Sequence, residues 1–294
     1  VTGASGLIGS ALVPALAAHG HRVLRLVRRT PAVGEAHWDP RRAELDPHVL
    51  EGVNAVVHLA GESLAAGRWT HARKHRVLDS RVRGTRLLAE TLARMAPRPA
   101  VLVSMSAVGI YGNRGDELLD ETSAPGDDFL ATVCIEWERA ADAAASAGVR
   151  VVHPRLGPVL AAQGGALEKM LPAFRLGVAG PLGGGRQWMS WIALDDAVAA
   201  LIAAVESNAL SGPVNVVAPN PVTNAEFTRT LARLLHRPAL LPVPAFALRL
   251  AFGKLADAAL LASQRVRPAA LERAGFRFAH PELGEALRAA IAAT

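Results

Sequence analysis

The stretch that decides the fold is Val1-Thr2-Gly3-Ala4-Ser5-Gly6-Leu7-Ile8-Gly9. Its glycines fall three apart, and Ile8, Leu12 and Leu16 then open an apolar stripe at helical spacing. Each glycine has a separate task in a strand-to-helix turn that receives a diphosphate. Gly3 makes the tight turn, Gly6 lets the anion reach bare backbone, and Gly9 lets the helix lie close on the sheet. The helix N-terminus adds unpaired N–H groups and a partial positive charge. Gly3, Ala4, Ser5, Gly6, Leu7 and Ile8 are therefore expected to cradle the paired phosphates of a dinucleotide. A glycine triplet alone also fits a purely structural turn; the amphipathic helix after it and the next strand past Gly20 favour the phosphate reading.

Working outward, short β-branched runs alternate with longer helical patterns. Strands are expected over 22–27, 55–59, 100–104 and 149–153, and a helix over 132–147 ending at Gly148. Leu78, Val82, Thr85, Leu88 and Leu92 recur at spacings of four and three, the inward face of another helix. The alternation predicts an α/β fold, a doubly wound parallel sheet of Rossmann type. After His153 glycine and proline become frequent, a strand-like run covers 187–192, and helices follow over 195–207, 224–236, 245–261 and 283–293. Residues 1–160 read as the nucleotide domain, with 186–218 returning to it, and 161–294 as a smaller mixed C-terminal lobe on the substrate side.

Composition narrows the function. With 294 residues, 51% of them hydrophobic, the chain can bury a large core and is not disordered. The best apolar stretch, 243–262, is broken by Pro244, Arg249, Lys254 and Asp257, so no membrane span is expected. The chain opens directly on the glycine turn, so no secretory leader is expected. Cys134 is the single cysteine, which points to a reducing, cytoplasmic setting. Net charge is +6, and all but three of the 32 basic residues are arginine. They are scattered, and aromatics at 4% are too few for stacking platforms, so nucleic acid is not an expected partner. One run stands out: Arg68, Arg73, Lys74, Arg76, Arg81, Arg83 and Arg86 against Asp79 alone. It is either a solvated helix face or a positive wall beside an anionic ligand. His71 and His75 have metal-like spacing but neither an intervening acid nor a third ligand, so no metal is expected.

The end of the second strand chooses the cofactor. An NAD site wants an acid there for the adenosine ribose. This chain reads Leu26-Val27-Arg28-Arg29, and guanidinium pairs with a 2′-phosphate where carboxylate would repel it. NADP is the expected cofactor, with Arg28 and Arg29 on its 2′-phosphate; ordinary surface arginines are the alternative.

Together with Leu59-Ala60-Gly61-Glu62, these features resemble the extended, epimerase-like branch of the short-chain dehydrogenase/reductase superfamily. The resemblance continues through Ser104-Met105-Ser106-Ala107-Val108-Gly109-Ile110-Tyr111-Gly112 and Pro154-Arg155-Leu156-Gly157-Pro158. It implies further cofactor contacts from Leu59, Ala60, Gly61, Glu62, Ser80, Ser104, Pro154, Leu156 and Gly157, and a homodimer formed through a helix pair. That superfamily transfers hydride with a Tyr-x-x-x-Lys pair, whose lysine lowers the tyrosine pKa. Here the single tyrosine is Tyr111 and the residue four on is Gly115, so the pair is absent. Aligning the helix through Glu138 puts Leu130 at the tyrosine position and Cys134 at the lysine position. Glu62, Arg68-Trp69-Thr70, Lys74, Ser80-Arg81, Phe129-Leu130-Ala131, Trp137-Glu138, Arg186-Gln187-Trp188, the run from Ala218 to Asn224 and Arg237-Pro238 resemble an atypical subgroup. That subgroup binds NADP, lacks the catalytic pair and carries a distinct C-terminal domain.

The resemblance also bears on substrate. Met189 stands where nucleotide-sugar enzymes place an arginine on the substrate phosphates, which argues against a nucleotide-diphosphate sugar. The glycine run 177–185 reads as a mobile flap over the site. Ser106 is a candidate to hydrogen-bond a substrate carbonyl, or else a buried structural serine. Lys74 is a candidate cationic donor or a surface lysine, and Glu62 a ribose ligand or acid, or a loop carboxylate. Trp137, Trp188 and Trp191 are candidates to line an apolar pocket. The expected activity is NADP-dependent oxidoreduction of a small molecule; the rival is an NADP-occupied sensor or scaffold without turnover.

Overall fold

The computed structural model describes residues 1–64, 67 and 69–293; Arg68 of the basic run lies outside the described residues. The strands are β1 (Arg25–Val27), β2 (Glu35–His37), β3 (Ala55–His58), β4 (Val101–Ser104), β5 (Ser106–Ala107), β6 (Leu118–Leu119), β7 (Arg150–Leu156), β8 (Val159–Ala161), β9 (Trp188–Met189), β10 (Ile192–Ala193), β11 (Gly212–Val216), β12 (Val222–Thr223) and β13 (Arg265–Val266). The helices are α1 (Leu7–Ala18), α2 (His71–Arg94), α3 (Phe129–Arg139), α4 (Asp142–Ser146), α5 (Gly165–Arg175), α6 (Leu194–Glu206), α7 (Asn224–Leu234), α8 (Ala245–Phe252), α9 (Ala269–Arg273) and α10 (Leu283–Ala292).

Thr2 bridges in parallel to Leu26 on one side and His58 on the other, joining β1–β2 to β3–β4–β7–β11. Strand order therefore runs β2, β1, Thr2, β3, β4, β7, β11, all parallel, and it reverses between Thr2 and β3. In doubly wound sheets such a reversal marks the ligand-binding end, beyond the carboxyl ends of the strands. One face of the sheet is covered by α1 and α6 over Leu12, Leu16, Val57, Val103, Val152 and Leu201. The other is covered by α2 and α4 over Leu26, Val56, Leu88, Leu92 and Leu102. A second core, of α5, α7 and α10 around Phe174, Trp191, Phe227 and Leu287, builds the C-terminal lobe. Leu271 reaches from that lobe into the first core.

Several expected elements shift. The 132–147 helix breaks at Ala140–Ala141 despite the helix preference of alanine, and Ala141 and Ala144 pack into the α2 side of the core. β7 runs past its expected end at His153 because Pro154 falls in the gap between the β4 pairing (up to Val152) and the β5 pairing (from Arg155), where no donor is needed. The 187–192 strand divides at buried Ser190, whose hydroxyl donates to the Gln264 carbonyl and accepts from the Val266 N–H. The 245–261 helix stops at Gly253, left-handed at φ +60. α2 is rotated from its expected stripe: Arg73, Val77, Arg81, Thr85, Leu88 and Leu92 face inward, while Leu78 and Val82 are half-buried. The 177–185 run is a bonded strap and not a loose flap. Gly183 N–H donates to Val243 O, Val243 N–H to Pro181 O, and Leu182 N–H to Asn224 Oδ1.

Candidate functional site

The crook at the amino end is fixed by contacts that exclude side chains. Gly3 has φ +65, and a Cβ there would lie 2.8 Å from the Leu59 carbonyl carbon. A Cβ at Gly9 would lie 2.2 Å from the Gly3 oxygen. Gly6 differs: the only atom near an added Cβ is the Gly3 oxygen at 3.4 Å, so the space above it is open. Gly6 caps α1 without a side-chain hydrogen bond, leaving the first-turn N–H groups to an incoming anion. Ser5 and Gly6 are exposed, and Leu7 and Ile8 half-buried.

Thr2 ties this crook to the loop after β3. Its Oγ1 accepts from Leu59 N–H at 3.1 Å and Ala60 N–H at 3.2 Å. The hydroxyl proton is then free only for His58 Nδ1, at 2.7 Å, so the imidazole carries its own proton on Nε2. His58 is fully buried, and burial drives its pKa down to about 3, so it stays neutral. Gly84 makes room for it: a Cβ there would be 3.3 Å from the imidazole Cε1.

Just past the end of β1 the two arginines separate. Arg29 is committed to Glu35, with Nη2–Oε1 and Nη1–Oε2 contacts both at 2.7 Å. The Arg29 pair and a hydrogen bond from Ala32 N–H hold the Glu35 carboxyl below its ordinary range, the backbone bond contributing most. Arg28 is exposed and, among the described residues, makes no ion pair.

Beyond β4 and β5 lies a buried polar chain. Ser106, 3% exposed, donates to Glu138 Oε1 at 2.6 Å. Arg155 clamps the same carboxylate from β7, Nε to Oε1 at 2.9 Å and Nη2 to Oε2 at 3.0 Å. Its Nη1 donates to the Tyr111 hydroxyl at 3.1 Å, and Tyr111 donates to Asn215 Oδ1 at 2.7 Å. The single tyrosine is thus a buried linker, its pKa raised chiefly by burial.

Comparison with known proteins fits this geometry. Residues 1–218 match the NAD dependent epimerase/dehydratase family, and residues 243–290 match DUF1731, a domain of unknown function. The chain belongs to the epimerase/dehydratase family. It is 50% identical to the epimerase family protein Mb2239 of Mycobacterium bovis over 98% of this chain and 95% of that one. The human epimerase family protein SDR39U1 is 38% identical over 99% of both chains. A crystal structure of human SDR39U1 (isoform 2) with NADPH superposes with TM-score 0.92 at 36% identity, covering 100% of this chain and 98% of that one.

Within this epimerase/dehydratase fold, the positions of the missing pair are apolar. Leu130 is 7% exposed and Cys134 3%, and burial pushes the Cys134 thiol up to about 12. The thiol is therefore protonated at neutral pH and supplies no charge. Ser106 differs from the expectation of a donor to a substrate carbonyl, because its proton is already given to Glu138. Glu62 is no free acid: its carboxylate accepts from Arg73 Nη1 at 2.8 Å, and Arg76 stands 3.6 Å away. Ser80 accepts the Glu62 N–H at 3.2 Å, so it pins the loop. Lys74 is half-buried with Nζ 4.5 Å from the Phe129 ring centroid; Phe129 in turn meets Trp69 edge-on. Ser104 is fully buried with an unpartnered hydroxyl among the described residues. Pro154 is buried and Leu156 half-buried in β7, while Gly157 is required by packing, since a Cβ there would strike the Ser190 carbonyl oxygen at 2.0 Å.

The tryptophans divide. Trp191 is fully buried core with its indole N–H on the Asn220 carbonyl, and Trp137 is buried with its N–H on Thr85 Oγ1, so neither lines an open pocket. Trp188 is half-buried, donates to Asp116 and stacks under Arg265 at 4.4 Å. Met189 packs on Asn224, with Sδ 3.4 Å from Nδ2. Among the described residues no group of three or more His, Cys, Asp or Glu is placed to hold a metal, and no helix is long and apolar enough to cross a membrane. Sequence alone does not single out Glu138, Arg155 or Arg81: a helix glutamate and a strand arginine resemble ordinary solvated charges, and the basic run holding Arg81 reads equally as a solvated face or a positive wall.

Proposed function

We propose that this chain binds NADP(H) and acts as an oxidoreductase on a small hydroxyl- or carbonyl-bearing molecule. The observation that carries the reading is the open, uncapped crook: Gly3 and Gly9 admit no side chain, while the space over Gly6 is free for paired phosphates. The residues fit the group at its other end as well, since Arg28 is an exposed guanidinium without a carboxylate partner among the described residues. The NADPH-bound SDR39U1 structure supports the same choice.

When bound, the dinucleotide supplies a hydride acceptor or donor; the chain must supply a route for the accompanying proton. Ser106 offers that route with a defined polarity. Its hydroxyl proton lies on the Glu138 side, so its lone pairs accept a hydrogen bond from a substrate hydroxyl. As that hydroxyl becomes a carbonyl, its proton moves to Ser106 Oγ while the Ser106 proton moves to Glu138 Oε1, and reduction runs the same path backwards. Arg155 keeps Glu138 oriented through its Nε–Oε1 and Nη2–Oε2 hydrogen bonds.

The test is NADPH and NADH titration of purified protein, followed by an alcohol and carbonyl panel read at the nicotinamide absorbance. Tight NADPH binding with turnover that Ser106→Ala abolishes supports the proposal; failure to bind either dinucleotide overturns it. The missing tyrosine–lysine pair favours one rival, an NADP-occupied sensor, which predicts NADPH binding with no turnover across the panel.

A further inference from the structure

The fold holds a buried cation that neither the sheet nor the salt bridges require. Arg81, on the inward face of α2, is 9% exposed. Its Nη1 donates to the carbonyls of Glu62 and Val77, both at 3.1 Å. Among the described residues its Nε and Nη2 have no hydrogen-bond partner, which leaves three N–H donors unused. The guanidinium carbon lies 4.9 Å from the Trp137 ring centroid, on the helix that carries Cys134. On the other side it lies 3.4 Å from where a Gly61 Cβ would stand, directly against the loop that follows β3. Burial lowers its pKa. Arg81 Nε and Nη2 are not among the buried unpartnered polar atoms, so beside the aromatic face and the loop after β3 these donors stay open to an incoming acceptor.

We infer that Arg81 supplies from α2 the fixed positive charge that the missing lysine would have supplied from α3, and that its free N–H groups bind the ribose hydroxyls on the nicotinamide side of the dinucleotide. The site is built for this. Cys134, the residue at the lysine position, lies on the same helix as Trp137 and is uncharged at neutral pH. Gly61 carries no side chain to cover the guanidinium fork. A vicinal diol offers two acceptors to a planar fork, as a carboxylate does. The Nη1 anchors hold the fork in place before the ligand arrives, so little side-chain entropy is lost on binding.

The inference rests on the NADP(H) reading, and the experiment separates the two. Binding of NADPH and of 2′,5′-ADP, which contains only the adenosine half, is measured for wild type, Arg81→Met, Arg81→Lys and Arg81→Met/Cys134→Lys. Arg81→Met is expected to weaken NADPH by roughly ten- to a hundredfold, the worth of a hydrogen bond from a charged donor, and to leave 2′,5′-ADP unchanged. Unchanged half-ligand binding also certifies that the variant is folded. Arg81→Lys keeps the charge and is expected to lose less than Arg81→Met. The double variant, which returns a cation to the lysine position, is expected to recover most of the NADPH affinity. Equal losses for both ligands, no loss for NADPH, or a double variant no better than Arg81→Met would each overturn the assignment to the ribose. Wild type that binds neither ligand would overturn the cofactor reading itself.

Discussion

Two glycines three residues apart should both lose NADPH to one methyl group, but only one of them should lose stability. At Gly9 an added Cβ would meet the Gly3 oxygen at 2.2 Å, Ala4 Cα at 2.7 Å and the Ala4 carbonyl carbon at 2.9 Å, all backbone atoms. Reaching the 3.4 Å of ordinary contact requires α1 to draw back from the turn by about 1.2 Å. Overpacking of this kind costs about 1–3 kcal/mol. At about 2–4 °C per kcal/mol for a chain near this size, Gly9→Ala should lower Tm by roughly 2–12 °C. The same retreat carries the first-turn N–H groups off the phosphates, and losing one charge-assisted hydrogen bond of about 1.5–3 kcal/mol weakens NADPH about ten- to a hundredfold. Gly6→Ala makes the contrast. Its φ of −78 suits any residue and its Cβ meets only one atom, at 3.4 Å. Its stability should stay within about 1 kcal/mol of wild type, since the lost cap preference and the entropy gained in the unfolded chain nearly cancel. Yet the methyl fills the space the diphosphate needs, so NADPH binding should still fall at least tenfold, by the loss of about 1.5 kcal/mol or more. Differential scanning calorimetry and NADPH titration of both variants decide the matter. Gly6→Ala that binds NADPH like wild type, or that melts as low as Gly9→Ala, would refute the cradle.

Three further outcomes follow from the same geometry. Arg28→Asp should weaken NADPH at least tenfold, by the loss of about 1.5–3 kcal/mol, and leave NADH nearly unchanged, whereas Arg29→Ala, already tied to Glu35, should do little; equal loss for both dinucleotides in Arg28→Asp would reject the 2′-phosphate role. Glu138→Ala strands the buried Arg155 charge, at a cost of about 3–5 kcal/mol, while Arg139→Ala, in an exposed pair with Glu136, should change stability by less than about 1 kcal/mol; similar melts for the two would sink the buried-clamp account. His58 has its folded pKa depressed to about 3, so the unfolded chain binds its proton first; this contribution is intact above about pH 6.5 and drains away as pH falls toward 3. NMR of the His58 ring should show a neutral imidazole protonated on Nε2 down to pH 5, and an ordinary titration near 6.5 would contradict the buried Thr2–His58 bond.

Local chemistry made the first turn, the alternation of strand and helix and the family legible, because glycine spacing and apolar period are properties of short windows. The same windows could not place charge. Arg73 and Arg81 sit in a run that reads either as a solvated face or as a positive wall; α2 turns these two inward, where carbonyls and a carboxylate of the 59–63 loop receive them. Arg29 looks like Arg28 until Glu35, brought alongside by the β1–β2 pairing, claims it. Ser106 reads as a substrate donor or a buried structural serine until Glu138, 32 residues on, accepts its hydrogen bond.

The glycines at 3, 6 and 9, the stripe beginning at Ile8 and the alternation of strand and helix pointed, from sequence alone, to a doubly wound sheet with a dinucleotide-type turn, in a chain that lacks a Tyr-x-x-x-Lys pair. The partner of each buried charge was settled only when distant segments met. A hydrogen bond or ion pair out of water is worth what the nearest atom makes it, and that atom is chosen by the packing of the whole chain.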